Sequence, residues 1–370
     1  MRVTLERSNL LKSLAHIQRV VERRNTIPIL SNVLLRAEDG QLTLKATDLD
    51  LEVTESVSAE IEQSGATTVP AHMLYDIVRK LPEGSEVLIA VANDVVRLVA
   101  GRSQFSLQML PESDFPDLTA GEFSHTFRMP CSEFKSLIDR TQFAISTEET
   151  RYYLNGIYFH TVEEGGSTLL RAVATDGHRL AQAQTEAPDG AQGMPGIIVP
   201  RKAVGEVQKL LETPDSTVTV ELSDSKIRFT VDAVVLTSKL IDGTFPDYNR
   251  VIPAGNDKQL TLDRETFARA VDRVSTIASD RGRAVKLSLT DGQLVLSVNN
   301  PDSGSAEEEL PVGYSSDALD IGFNSRYLLD ITNQLGGEET TFMLADPGSP
   351  TLIREKDVEG VLYVLMPMRV

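Results

Sequence analysis

Thr68-Val69-Pro70-Ala71-His72-Met73-Leu74 is one of three stretches built to one plan. The others are Ile198-Val199-Pro200-Arg201-Lys202-Ala203-Val204 and Gly322-Phe323-Asn324-Ser325-Arg326-Tyr327-Leu328. With Pro70, Pro200 and Asn324 as origins, apolar residues fall at the same later positions: Leu74, Ile77 and Leu81; Val204, Val207 and Leu211; Leu328, Ile331 and Leu335. That spacing lays one apolar stripe along a helix. Proline or asparagine at its start suits first-turn and capping chemistry. Each predicted helix meets a break, at Pro82-Glu83-Gly84, Thr213-Pro214-Asp215 and Gly336-Gly337, and then a strand over 86–92, 217–222 or 340–345.

A second helix is predicted before each of these, over 8–21, 132–143 and 264–278. Its stripe is Leu11, Leu14 and Ala15 in the first case, Phe134, Leu137 and Ile138 in the second, Phe267, Ala270 and Val271 in the third. A short strand leads into each, and paired strands lie between the two helices. Gly40-Gln41-Leu42-Thr43-Leu44 matches Gly292-Gln293-Leu294-Val295-Leu296. Asp114-Phe115-Pro116-Asp117 returns 130 residues later as Thr244-Phe245-Pro246-Asp247, the interval that separates Pro70 from Pro200. The chain of 370 residues therefore reads as three α+β units, 1–120, 121–252 and 253–370. Each has two helices packed on antiparallel sheets, at a common domain size. One alternative is three duplicated domains with unrelated functions, but repeats of this kind point to a shared architecture and surface.

Composition narrows the function. No apolar run is long enough for a membrane span, and Met1-Arg2 followed by Val3-Thr4-Leu5 reads as a strand rather than a secretion signal. A soluble, cytoplasmic protein with no membrane partner is expected. Cys131 is the only cysteine and there are five histidines, so no intrachain disulfide and no metal or other cofactor is expected. No phosphate loop and no GxGxxG occurs. Thr175-Asp176-Gly177-His178-Arg179 tempts one toward catalysis, but Asp-Gly marks a turn, and no second histidine or nucleophile motif stands near. No catalytic residue is assigned.

The net charge is −18, from 36 Lys and Arg against 54 Asp and Glu, which alone argues against nucleic acid. Its distribution argues the other way. Segments 9–24, 72–80, 132–142, 201–212, 264–283 and 325–334 hold 17 of the cations and 10 of the anions, leaving −25 for the rest. Solvated helix faces would explain this equally well without the repeat. With it, a head-to-tail homodimer closes the free ends of three domains into a ring. Twelve helices about 9 Å apart would leave an opening of about 24 Å, enough for B-form duplex. Basic walls attract phosphates without reading bases. An acidic scaffold that binds only proteins is the rival reading.

Arg151-Tyr152-Tyr153-Leu154-Asn155-Gly156, Thr175-Asp176-Gly177-His178-Arg179-Leu180, Val199-Pro200-Arg201-Lys202, Phe245-Pro246-Asp247-Tyr248 and Met366-Pro367-Met368-Arg369 resemble the bacterial β sliding clamps. The resemblance runs the length of the chain with its motifs in order. It implies a processivity factor of DNA polymerase III, a dimeric ring of three clamp domains per chain that binds duplex DNA without sequence preference. It also implies partners that dock by short linear peptides: the polymerase catalytic subunit, the clamp loader, translesion polymerases, mismatch-repair proteins and ligase.

Carried over by position, the resemblance places the peptide groove at Leu154, Thr175, Gly177, His178, Arg179, Leu180, Pro246, Arg250, Val251, Asn324, Tyr327, Val364, Leu365, Met366, Pro367, Met368 and Arg369. Leu, Val, Pro and Met make an adaptable apolar socket, and Arg179, Arg250 and Arg369 are expected to hold carbonyls or acidic flanks. The plainer reading of Met366–Arg369 is a closing strand. DNA contacts are implied for Arg24, Arg151, Tyr152, Tyr153, Arg201 and Lys202; the two tyrosines read equally well as core residues. At the subunit contact, Arg102, Phe105 and Leu107 are expected to face Ile277, Asp302, Glu307, Glu308 and Glu309. Gly282, the loop 346–350 and Glu148 depart from the family pattern.

Overall fold

A computed structural model describes residues 1–118, 121–213, 215–279, 282–356 and 358–370. The first predicted boundary at Ala120, the break at Pro214 and the helical stretch predicted through Asp280 and Arg281 lie outside them. The first repeat runs β1 (Arg2–Glu6), α1 (Arg7–Ile17), β2 (Asn32–Glu38), β3 (Gln41–Thr47), β4 (Leu51–Ser58), β5 (Glu60–Gln63), β6 (Gly65–Pro70), α2 (Ala71–Lys80), β7 (Glu86–Ala92), β8 (Val95–Ala100) and β9 (Ser103–Gln108). The second runs β10 (His125–Pro130), α3 (Cys131–Thr141), β11 (Gly156–Glu164), β12 (Ser167–Thr175), β13 (Arg179–Glu186), β14 (Ile197–Pro200), α4 (Arg201–Leu210), β15 (Thr217–Leu222), β16 (Lys226–Val231) and β17 (Val234–Lys239). The third runs β18 (Lys258–Asp263), α5 (Arg264–Ser275), β19 (Ala284–Thr290), β20 (Gln293–Asn300), β21 (Gly304–Pro311), β22 (Leu319–Asn324), α6 (Ser325–Thr332), β23 (Glu339–Leu344), β24 (Thr351–Glu355) and β25 (Val361–Leu365). Apart from the extra β5, the order of strands and helices is the same three times, as the sequence repeat requires.

The chain forms two compact units, one of Met1–Phe134, Pro188–Met194 and Gly205–Leu240, the other of Lys135–Ala187, Pro195–Val204 and Ile241–Val370. The first holds the sheets β5-β1-β7-β8-β9 and β10-β15-β16-β17-β4-β3-β2-β6. The second holds β14-β11-β12-β13-β25-β24-β23-β18 and β21-β20-β19-β22. One rule generates both eight-stranded sheets: the last strand of a repeat pairs antiparallel with the fourth strand of the repeat before it. β17 meets β4 with Leu236 opposite Val53, and β25 meets β13 with Tyr363 opposite Ala181. The same positions in β9 and β21 are sheet edges.

The helix stripes are buried: Phe134, Leu137 and Ile138, Phe267, Ala270 and Val271, and Val204, Val207 and Leu211. The first helix differs from expectation. Its buried side is Leu10, Ser13, Leu14 and Ile17, one place off the predicted stripe, and it ends at Ile17. Val20 and Val21 are both buried. α5 likewise stops at Ser275, short of 278. Asn324 caps α6 as its position predicted, its Oδ1 accepting from the backbone N–H groups of Arg326 and Tyr327. Gly40 and Gly292 turn the matched hairpins at φ 74° and 71°, left-handed values that favour glycine.

Candidate functional sites

Leu154 from the turn before β11, Val173 of β12, Leu180 of β13, Ile198 of β14 and Val364 of β25 meet in one buried cluster with Leu352, Phe245 and Tyr248. Leu154, Leu180 and Val364 are thus brought together as predicted. Leu365 is not with them. It follows Val364 in β25, points to the other face and is fully buried. Val173 belongs to the same cluster although no motif marks it; it lies on β12, where residues 170–174 are all buried, Arg171 among them, so this strand is buried on both faces. The rim is more open: Pro246 and Arg250 are exposed, Val251 is 47% exposed and Met366 39%.

Arg179 departs from its expected role. Its Nε donates to Asp176 at 3.1 Å, Nη1 to Asp330 at 2.6 Å and Nη2 to the Phe143 carbonyl at 2.7 Å. The guanidinium lies 4.3 Å from the Tyr327 ring centroid and 5.0 Å from that of Phe143. With each nitrogen committed inside the chain, Arg179 braces the wall. His178, exposed, stacks on Tyr327 at 6.3 Å, and its carbonyl accepts from the Met366 N–H at 2.9 Å. The preceding turn is an Asx turn: Asp176 Oδ1 accepts from the N–H groups of His178 and Arg179, and Thr175 Oγ1 from that of Gly177. Asp176 is therefore spent on backbone geometry. Among the described residues, no group of three or more His, Cys, Asp and Glu is placed to hold a metal.

Arg151, assigned to DNA by position, packs against this turn. A Cβ on Gly177 would stand 2.5 Å from its Nη1. Glu148 accepts from Arg151 at 2.7 and 2.8 Å, and this bond lowers the Glu148 carboxyl. The pair thus flanks the groove turn, which a motif reading of Arg151-Tyr152-Tyr153 could not show. Tyr152 is 53% exposed and meets Tyr153 edge to face at 5.7 Å, while Tyr153 packs against the buried cluster. The core reading fits Tyr153, and Tyr152 is the ring left at the surface. Arg201 opens α4 beside this segment, its N–H donating to the Asn155 carbonyl at 2.9 Å. Arg201 is exposed and Lys202 half-buried. Arg24 is exposed in the turn after α1, not on a helix.

The chain ends on the groove side. Met368 N–H donates to the Gly322 carbonyl at 2.8 Å, so the tail bridges to β22. Pro367 and Met368 are half-buried and Arg369 exposed. The plainer reading of Met366–Arg369 as a closing strand is thus met by a single bridge, with Met366 and Arg369 left exposed. In the 346–350 loop, Asp346 accepts from the Gly348 N–H at 2.8 Å and the Ser349 hydroxyl at 2.6 Å.

The six observed helices carry 13 Lys and Arg against 7 Asp and Glu, so the basic excess persists with the corrected boundaries. Part of it is structural. Arg7 donates to the Val78 and Arg79 carbonyls, capping the end of α2, and Arg264 donates to the Gly337 carbonyl in the turn before β23. Arg79, Lys135, Lys209 and Arg269 pair within their own helices. Lys12, Lys80, Arg201 and Arg326 are exposed. At the sheet edges, Leu107 is buried, Phe105 half-buried and Arg102 exposed. Phe105 helps line an apolar cavity of about 550 Å³ with Met73, Ile77 and Leu81. On the other edge Glu307 and Glu309 are exposed, but Glu308 is taken by Arg273 of the same chain. Asp302 is exposed and Ile277 half-buried.

Comparison with known proteins gives three consecutive family matches: the DNA polymerase III beta subunit N-terminal domain over 1–119, its central domain over 128–247 and its C-terminal domain over 249–369. The beta sliding clamp of Caulobacter vibrioides is 54% identical over 372 residues and that of Escherichia coli K12 41%, each alignment covering 100% of both chains. The crystal structure of a sliding clamp (DNA polymerase III subunit beta) from Bartonella birtlesii bound to griselimycin is 61% identical, covers 100% of both chains and superposes with a TM-score of 0.98.

Proposed function

The chain belongs to the bacterial sliding clamps, the beta subunits of DNA polymerase III, and from that premise we propose how its surfaces divide the work. It is a processivity factor with no catalysis of its own, made of three tandem clamp domains. Two copies close head to tail into a ring around duplex DNA, β9 of each pairing with β21 of the other. The observation that carries this is the pairing rule. β17–β4 and β25–β13 satisfy it within the chain, and β9 and β21 are the strands it leaves over.

Phe105 occupies the place of Leu236 and Tyr363 in its repeat, and Ala306 that of Val53 and Ala181. The rule therefore sets Phe105 opposite the second copy's Ala306. Arg102 then falls opposite Glu309, giving opposite charges at the strand end. Ile277 of the second copy enters the cavity beside Phe105, while Glu308 serves its own subunit through Arg273. Domain borders fall at 120 and 252.

Arg24, Arg201 and Lys202, with Tyr152, meet the duplex. Arg201 and Lys202 sit at a helix N-terminus, where the helix dipole disfavours cations; a phosphate nearby offsets that cost. Short peptides from the polymerase catalytic subunit, the clamp loader, translesion polymerases, mismatch-repair proteins and ligase dock over Leu154, Leu180 and Val364, between the rim at Pro246–Val251 and the opposite rim, where His178 is bonded to Met366. The test loads the protein onto nicked circular DNA and then linearises it. A ring is retained on the circle and lost from the linear form; equal retention on both rules the ring out.

A further inference from the structure

Pro246, Arg250 and Val251 form one rim of the peptide groove, yet they sit in a connector outside any strand, Arg250 and Val251 within its short turn over Tyr248–Val251. Two aromatic side chains fasten it to the sheet. The Phe245 ring stacks on Tyr158 at 4.8 Å and 6°, and Tyr158 stacks in turn on His160 at 4.6 Å. Three residues on, the Tyr248 hydroxyl is buried between His160 Nε2 at 2.9 Å and Arg171 Nη1 at 3.2 Å. Arg171 is itself 9% exposed and held at its other nitrogens by Gln184 at 2.7 Å and Glu164 at 2.6 Å.

The protonation pattern fits a single arrangement. Burial, and after it the Arg171 cation, keeps His160 below its ordinary range and so neutral. A neutral Nε2 accepts the Tyr248 O–H, and the oxygen then accepts from Arg171. Both sheet residues are satisfied only with Tyr248 in place, because a buried guanidinium or imidazole left without its partner is costly. The geometry points to His160 and Arg171 as positioning residues for peptide binding. They touch no peptide, and they act through Tyr248 to hold the Pro246–Val251 rim at its distance from the floor. This rests on the groove reading above.

Tyr248→Phe keeps the ring and removes the oxygen. Its affinity for a fluorescein-labelled synthetic peptide ending in two large apolar residues should fall about tenfold. The dimer should remain, and amide exchange should quicken over 242–252 while the strands keep their protection. His160→Gln, which retains an acceptor at the Nε2 position, should bind like the parent, and His160→Leu should weaken like Tyr248→Phe. A purely structural role would lower the melting temperature of both His160 variants without separating their affinities. Met366→Ala, on the opposite rim, tests the groove itself. If it binds normally, the peptide lies elsewhere. If it weakens while Tyr248→Phe and His160→Leu bind like the parent, the positioning role is wrong.

Discussion

Tyr363 lies opposite Ala181 across the β25–β13 pair, as Leu236 lies opposite Val53 across β17–β4. Carried one repeat further between two copies, this register sets Gln104 opposite Glu307. Cysteines at Gln104 and Glu307 should oxidise to a covalently closed dimer, whereas the pair Gln104 and Glu309 should not; Cys131 is buried and stays out of the reaction. Non-reducing gels read the result. Crosslinking by the second pair alone would mean a register displaced by two residues, which keeps the faces but moves Arg102 off Glu309.

Arg179→Lys keeps the charge but cannot reach Asp176, Asp330 and the Phe143 carbonyl together. Breaking this largely buried set should cost about 2–3 kcal/mol in urea unfolding. Peptide affinity should fall with it, since Tyr327 loses the planar cation beneath its ring. A loss under about 0.5 kcal/mol would return Arg179 to the role of a free groove cation.

DNA binding separates working cations from structural ones. Arg201→Ala and Lys202→Ala should each reduce the slope of log affinity against log salt by about one, seen by anisotropy on a short duplex. Arg7→Ala should leave the slope unchanged and lower stability instead, because Arg7 is bound to the carbonyls ending α2. A smaller slope for Arg7→Ala would put α1 on the DNA as well.

How much of this was legible depends on distance along the chain. The stripe Phe134, Leu137, Ile138 and the paired Phe-Pro-Asp strings lie within a turn or recur at a fixed interval, so periodicity exposes them. Arg179 reaches Asp330 across 151 residues and Phe143 across 36. No local pattern distinguishes a saturated arginine from a free one. The resemblance implies a DNA contact for Arg151 together with Tyr152 and Tyr153, while Gly177, distant in sequence, leaves the room its guanidinium occupies. A motif places Val364 and Leu365 together because it ignores the side-to-side alternation of a strand. Glu308 read as one of three equal acids, yet alternation turns it toward Arg273 and leaves its neighbours outward.

Acid should loosen the groove. The folded chain holds His160 below the usual value of 6.5, so the unfolded chain binds this proton more readily. The stability from the neutral ring is complete above that value and is lost as pH falls through it toward the folded-state value. Arg171, Tyr248 and Tyr158 face the ring, with Glu164 behind Arg171. Glu52, raised by burial, pulls the opposite way. The readout is therefore the difference between parent and His160→Gln in urea midpoints at pH 7.5 and 5.5. The parent should lose more on acidification; equal losses would assign the acid response elsewhere.

Gly322 fixes the tail through space rather than backbone freedom. A Cβ there would meet the Met368 carbonyl at 2.6 Å and overlap a methyl of Val370. The first contact is with backbone and cannot be relieved by a rotamer change. Gly322→Ala must therefore lift the tail from β22 and break the Met368 N–H bond to the Gly322 carbonyl. The body of β22 is held independently by its ladder to β19, so the fold should survive. Peptide affinity should drop by at least tenfold, about 1.4 kcal/mol, because Met366 leaves the rim. Deleting 366–370 should produce the same defect, and in both proteins sedimentation should still show the dimer. If Gly322→Ala binds peptide normally while the deletion does not, the tail contributes its side chains without needing its bridge to β22.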